Sequence, residues 1–215
     1  MVALIYYFLT GFAWVSLRLV ARWQVLGKER VPPRGPLIMV ANHLSMTDPP
    51  IIAASLPRRV VYMAKIELFR SWMAPVVRGY GAFPVRRGQV DRDALRQAQV
   101  ILGRGQVLGV FVEGGRSASG SLQSPFLGAA LLALRTGSPV LPVAICGTEQ
   151  LRGTGWFRRP RITVSIGEPV HPSRKEARLA RGELQEFTQR LMEGIAALLP
   201  PQYRGSYGME APLVR

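Results

Sequence analysis

Past an apolar opening stretch, short and wholly apolar runs alternate along the chain with segments whose apolar residues recur every three or four positions. Leu37-Ile38-Met39-Val40 is the first run, and with no polar face it predicts a strand buried on both sides. Residues 60–63, 82–85, 107–112, 140–145 and 162–166 predict further strands. Thr47-Asp48-Pro49-Pro50 reads as a helix start, a polar cap with proline in the first turn, and the helix runs to about Ser55. Leu68, Trp72 and Val76 recur at four-residue spacing and predict a packed helix. Ala94, Leu95, Ala98, Ile101 and Leu102 mark one face of a helix over 91–102. An Ala/Leu-rich helix follows over 126–135, ended by Gly137, and 174–199 predicts a long terminal helix with Gly182 as its weak point. The Pro- and Gly-rich chain after Pro200 reads as loose. Strands alternating with helices imply one α/β domain, a largely parallel mixed sheet flanked by helices. Ligands in such sheets sit beyond the carboxyl ends of the strands, so the polar segments after strands are where chemistry is expected.

The opening stretch, MVALIYYFLTGFAWVSLRLVA, carries one charge, Arg18. A cleaved signal peptide needs positive charge ahead of its apolar part and a small-residue cleavage site, and neither is present. The uncharged part through Leu17 falls just short of the roughly 20 residues of a comfortable span. That leaves a tilted transmembrane helix or a helix lying in the interface, with a buried core helix as the plain alternative. Tyr6, Tyr7, Trp14 and Trp23 suit an interfacial position. Arg18, Arg22, Lys28 and Arg30 follow, which by the positive-inside tendency keeps the rest of the chain on the cytoplasmic side of the cell membrane. The expected organisation is an anchoring helix over 1–24, a domain over 25–200 and a flexible tail over 201–215.

Composition sharpens this picture. A chain of 215 residues, 48% hydrophobic, is long enough to bury a real core as one domain. Its 28 Lys+Arg against 13 Asp+Glu give a net charge of +15, which calls for an anionic partner such as a membrane surface, a nucleic acid or a polyanionic co-substrate. The single cysteine, Cys146, excludes an intramolecular disulfide and a Cys-rich zinc site, and reads as a small buried residue.

Four segments after strands carry candidate chemistry. In Asn42-His43-Leu44-Ser45-Met46-Thr47-Asp48, a histidine precedes an aspartate across a strand-to-helix turn. Such a turn can fold the carboxylate onto one imidazole nitrogen and leave the other to take a proton from an alcohol. The bland alternative makes Asp48 only a helix cap. In Phe83-Pro84-Val85-Arg86-Arg87-Gly88, two arginines follow a strand, and arginine's fork matches phosphate geometry. In Val112-Glu113-Gly114-Gly115-Arg116-Ser117, glycines allow close approach of a ligand, Arg116 can reach an anion, and Glu113 can hold a hydroxyl or an arginine. The Gly-Lys-Ser/Thr ending of a nucleotide loop is missing there. Val140-Leu141-Pro142-Val143-Ala144-Ile145-Cys146-Gly147 reads as strand and turn, shaping a wall without proton chemistry.

Taken in order, Asn-His-x4-Asp, Phe-Pro-Val-x-Arg, Glu-Gly-x-Arg-Ser and Leu-Pro-Val-Ala-Ile resemble the glycerolipid acyltransferases, most closely the lysophosphatidic acid acyltransferase family, over roughly residues 25–170. The resemblance implies the glycerol-3-phosphate acyltransferase-like fold. It also implies His43 as general base, Asp48 as its orienting acid, Arg87, Arg116 and Lys65 as holders of the acceptor phosphate, and Glu113, Gly114, Gly115 and Ser117 as an acceptor-side loop. The implied partners are a lysophospholipid, acyl-CoA or acyl carrier protein as co-substrate, and an anionic phospholipid membrane, with no cofactor and no metal. Val112 and Gly115 stand where the family usually has Pro and Thr, and Arg86 where an aspartate is common. The anchor is short beside a two-helix membrane base.

Two rivals accompany this reading. Ser45 or Ser117 as an acyl-enzyme nucleophile would make the chain a hydrolase. A basic nucleic-acid- or membrane-binding protein without catalysis would use the same charge, yet no nucleic-acid motif is present. His171, the other histidine, has no carboxylate at matching spacing and reads as a surface residue.

Overall fold

The computed structural model describes residues 2–86, 91–172 and 179–208. Helix α1 (Val2–Val20) leads into β1 (Arg22–Leu26), β2 (Leu37–Ala41), α2 (Asp48–Ser55), β3 (Val60–Lys65), α3 (Ala74–Gly79) and β4 (Phe83–Val85). Then follow α4 (Arg92–Gly103), β5 (Val107–Phe111), α5 (Gly128–Thr136), β6 (Val140–Cys146), β7 (Arg161–Ile166) and α6 (Arg181–Leu198). The strands form one seven-stranded sheet in the order β1-β7-β6-β2-β5-β3-β4. Every neighbouring pair is parallel except β6 and β7.

Strand β2 lies between β5 and β6, and all five of its residues are buried. The alternation of the pleat divides them between two faces. Leu37, Met39 and Ala41 join the core under α1 and α2, while Ile38 and Val40 join the core under α4, α5 and α6. A run with no polar position can serve a central strand only because both faces are covered. Helix α4 starts where the amphipathic pattern begins: Asp91 caps it, its Oδ1 accepting from the Ala94 N–H at 3.1 Å and its Oδ2 from the Arg86 N–H at 2.8 Å.

Several features differ from the sequence expectation. Strand β1 is an additional edge strand, parallel to β7. Its alternation of Arg22, Trp23, Gln24, Val25 and Leu26 was masked by the apolar stretch ahead of it. Trp23 therefore packs partly on the domain, and a domain boundary at residue 24 falls inside a strand. The packed helix expected from Leu68, Trp72 and Val76 is instead a 3-10 turn (Ile66–Arg70) followed by α3, with Pro75 near its start. Trp72 in the connection is 82% exposed. Helix α6 begins at Arg181 and runs through Gly182; residues 174–178 lie outside the described residues. Past Pro200 the chain folds into short 3-10 turns, and the Tyr203 carbonyl accepts from the Leu122 N–H.

Helix α1 is docked on the domain along its length. Tyr6 and Leu17 are both buried in the core shared with α2 and the sheet. The Tyr6 hydroxyl accepts from the Val60 N–H at 3.1 Å, and its ring meets Tyr80 edge-on. The opposite face leaves Leu4, Tyr7, Phe8, Phe12, Val15 and Leu19 in the open.

Candidate active site

Beyond the carboxyl end of β2, the chain turns sharply through 42–48 before α2 begins. Asp48 is the first residue of that helix, with Thr47 as its cap, and its side chain is fully buried. A buried carboxylate is tolerable only when hydrogen-bonded. The Asp48 Oδ2 accepts from His43 Nδ1 at 2.7 Å, from the Leu44 N–H at 2.6 Å and from the Ser45 N–H at 2.8 Å. Its Oδ1 accepts from the Thr148 hydroxyl at 2.6 Å. With Nδ1 donating to Asp48, Nε2 is the histidine nitrogen left to accept a proton.

The rest of the turn is held from three directions. The Asn42 side chain donates to the Ile145 carbonyl and accepts from the Ile145 N–H, both at 2.8 Å. It continues the ladder between β2 and β6 one step past the last paired backbone residues. The Glu113 carboxylate, 6% exposed, accepts from the His43 N–H and the Gln123 N–H, both at 3.1 Å. Burial raises its pKa to about 7, against the lowering effect of those two N–H groups. The Ser117 N–H donates to the His43 carbonyl at 2.7 Å. The Arg152 guanidinium reaches the Leu44 carbonyl at 3.3 Å.

His43 opens onto a cavity of about 290 Å³. Its walls are mostly apolar: Tyr62, Met63, Leu68, Val76, Val77 and Tyr80 among them. Phe111 lies flat against the His43 ring, with centroids 4.1 Å apart and planes 23° from parallel. Tyr62 stacks beyond it and donates its hydroxyl to the Pro49 carbonyl at 2.9 Å. Lys65 and Arg116 contribute to the same lining, and both are exposed. Lys65 also lies 3.4 Å from Glu67.

The structure thus brings His43, Lys65 and Arg116 to one cavity with Asp48 directly behind the histidine. Glu113 and Ser117 stand behind the wall, bracing the turn from the core. The Ser117 Oγ donates to the Ser121 carbonyl at 2.7 Å, and the Ser45 Oγ accepts from Thr47. Neither of these hydrogen bonds involves the histidine ring. Gly114 has φ of +64°, a conformation that favours glycine, and a Cβ there would push the exposed Phe126 ring aside. Gly115 lies beside it, partly exposed. Arg87 lies outside the described residues. His171 is exposed, and Cys146 is half-buried with its thiol pKa pushed up by burial. Among the described residues, no group of three or more His, Cys, Asp and Glu side chains could hold a metal ion.

Thr148, Phe111, Tyr62 and Arg152 went unread in the sequence. For Thr148 no signal existed: it lies one residue past the strand-and-turn segment 140–147 and 100 residues from Asp48. For Phe111 and Tyr62 none did either, because strand aromatics are core residues in most sheets.

Comparison with known proteins follows the same geography. A family model described as Acyltransferase matches residues 22–146. A 1-acyl-sn-glycerol-3-phosphate acyltransferase from Borreliella burgdorferi is 26% identical over 81% of this chain and 70% of its own length. A lyso-ornithine lipid O-acyltransferase from Pseudomonas aeruginosa is 36% identical over 53% of this chain and 44% of its own length. Against two further relatives the chain spans 56% and 48% of their length. Among solved structures, the 1-acyl-sn-glycerophosphate acyltransferase PlsC from Thermotoga maritima superposes with a TM-score of 0.70 at 28% identity, covering 90% of this chain and 78% of that one.

Proposed function

This chain belongs to the acyltransferase family, and on that premise we propose that it transfers a fatty acyl group from acyl-CoA or acyl carrier protein to the sn-2 hydroxyl of lysophosphatidic acid, giving phosphatidic acid. The observation that carries the reading is the His43–Asp48 pair at the mouth of a largely apolar cavity whose polar lining includes Lys65 and Arg116. An apolar cleft with a few convergent cations suits a molecule that is greasy at one end and anionic at the other. His43 Nε2 takes the proton of the acceptor hydroxyl as its oxygen bonds to the thioester carbonyl carbon. The tetrahedral oxyanion collapses, the carbon–sulfur bond breaks, and the proton on Nε2 passes to the leaving thiolate. Asp48 keeps the ring oriented and stabilises the imidazolium while it lasts. Lys65 and Arg116, with Arg87, hold the acceptor phosphate and position its hydroxyl. The reaction needs no cofactor beyond the acyl thioester, and neither Ser45 nor Ser117 forms an acyl-enzyme.

The membrane reading rests on α1. It is long and apolar enough to span a bilayer by length and composition. Tyr6 and Leu17, about 16 Å apart along the helix, are nonetheless both buried against the domain. Contact with the domain at both ends favours an α1 that lies in the interface, its open face toward lipid, over one that crosses the bilayer. The arginines after it keep the domain on the cytoplasmic side.

A thiol-release assay with lysophosphatidate, read together with mass spectrometry of the product lipid, tests the function. His43→Ala should abolish acyl transfer while the protein stays folded; near-normal transfer would overturn the proposal. The acceptor panel includes a lyso-ornithine lipid, because one relative carries that name. A preference for it would keep the chemistry and replace the head group.

A further inference from the structure

The connection between β6 and β7 carries an element that the catalytic reading leaves unused. Within it, Gly155–Arg158 forms a 3-10 turn in which the Trp156 and Phe157 rings stack at 3.7 Å, and these residues are 42% and 68% exposed. Arg152, Arg158, Arg159 and Arg161 flank the pair in sequence, all exposed, with the Arg152 guanidinium held on the Leu44 carbonyl, and residues 152–161 include no acidic residue. Two adjacent large aromatics in water are unfavourable, and a rim of arginines with no counter-charge adds self-repulsion. A surface both apolar and anionic relieves both.

The turn is also tied to α1. It packs against that helix, and the Arg159 guanidinium donates to the Arg18 carbonyl at 3.0 Å. Arg159 is held at φ of +46°, alone among the described non-glycine residues in having a positive value. Such a conformation is unfavourable for a residue with a side chain and persists where the surroundings impose it. Beside this tie, Arg18, Ala21, Arg22 and Trp23 line an open notch of about 310 Å³, room for an anionic head group.

We propose that the Trp156–Phe157 turn is a second lipid-docking element, which inserts its two rings into an anionic phospholipid surface alongside the apolar face of α1 while Arg158 and Arg161, next to it in the chain, contact the head groups. The proposal rests on the reading of α1 as an interfacial helix. Two separated contacts fix the angle of the domain on the bilayer, which one helix, free to roll about its axis, does not. Continuity with α1 and the uncompensated positive charge select a bilayer over another protein.

The test uses the full chain and vesicles of phosphatidylcholine alone or mixed with phosphatidylglycerol. The double variant W156S/F157S, both positions exposed, should keep the wild-type melting curve yet partition about tenfold more weakly onto the mixed vesicles. Tryptophan quenching by brominated acyl chains should fall in W156F relative to wild type. A parallel α1 variant, F8S/F12S, separates the two readings. If it loses binding while W156S/F157S binds normally and W156F is quenched like wild type, the second contact is overturned and the α1 reading stands. If neither variant changes binding, both fall. If wild type forms dimers in sedimentation that W156S/F157S lacks, with equal vesicle binding, the pair contacts a second copy and the lipid assignment is overturned.

Discussion

The two sides of His43 are built on opposite principles. Behind the ring, Asp48 is fully buried and receives hydrogen bonds from His43, Leu44, Ser45 and Thr148. In front of it, a mostly apolar cavity carries its charge on exposed Lys65 and Arg116. The rear is fixed by segments following three different strands, β2, β5 and β6, so its geometry is set by the sheet. The front depends on side chains with freedom to move. A rear of this kind should govern the rate of proton transfer, and a front of this kind should govern which acceptor binds and how tightly.

The largest test of that division is Asp48→Asn. An amide nitrogen in place of Oδ2 would point a donor at the Leu44 and Ser45 N–H groups, and a flipped amide would face the Thr148 hydroxyl. By the behaviour of orienting carboxylates in histidine-based catalysis, kcat should fall by about 10³–10⁴. Steady-state assays should show the acceptor KM changing little. A variant that altered KM alone would erase the distinction between the two sides.

Thr148→Val comes next. It keeps the shape and removes the 2.6 Å donor to the buried carboxylate. A hydrogen bond to a charged group contributes about 1.5–3 kcal/mol, so kcat should drop roughly 10- to 100-fold. Thr148→Ser should restore most of it, an outcome that a purely packing role for the methyl group would not give.

That Thr148 belongs to the site was not legible in the sequence, and the reason is physical. Asn42, His43 and Asp48 lie within one turn, so their spacing reported their contact. Thr148 is 100 residues from Asp48 and meets it only because β6 pairs with β2. Strands β2 and β6 could be read from their apolar runs, since these central strands have no polar face to blur the pattern. Strand β1 could not, because a half-buried edge strand alternates and its five residues adjoin an apolar helix. The stripe Leu68, Trp72 and Val76 misled for a related reason: periodicity reports a shared face, and here Leu68 and Val76 line the cavity from a 3-10 turn and a short helix.

Glu113 extends the rear into a pH dependence. Its folded pKa is raised from 4.5 to about 7. Between those values the folded state holds more protons than the unfolded one, so its contribution to stability declines as pH rises through that window. Below 4.5 both states are protonated, and well above 7 both are ionised. Urea unfolding over this range should therefore show a stability loss on the order of 3 kcal/mol in wild type. Glu113→Gln should remove that slope. Equal slopes in both proteins would mean that Glu113 ionises as freely as it does in the unfolded chain.

The smallest effects belong to the front. Arg116→Ala should raise the acceptor KM about tenfold with kcat nearly unchanged, the loss of one charge-assisted contact in a partly solvated place. Lys65→Met should do less, about threefold. Lys65 is exposed and 3.4 Å from Glu67, so its charge is already shared and screened by solvent. Added salt distinguishes the two sides directly. Screening over a Debye length of about 10 Å weakens exposed cations and leaves the buried carboxylate pair almost untouched. Raising ionic strength should therefore reproduce the KM increase of the Lys65 variant in wild type and shrink the difference between them, while the kcat deficit of Asp48→Asn stays constant. A salt-dependent kcat in that variant would mean that the rear is wetter than its hydrogen bonding indicates.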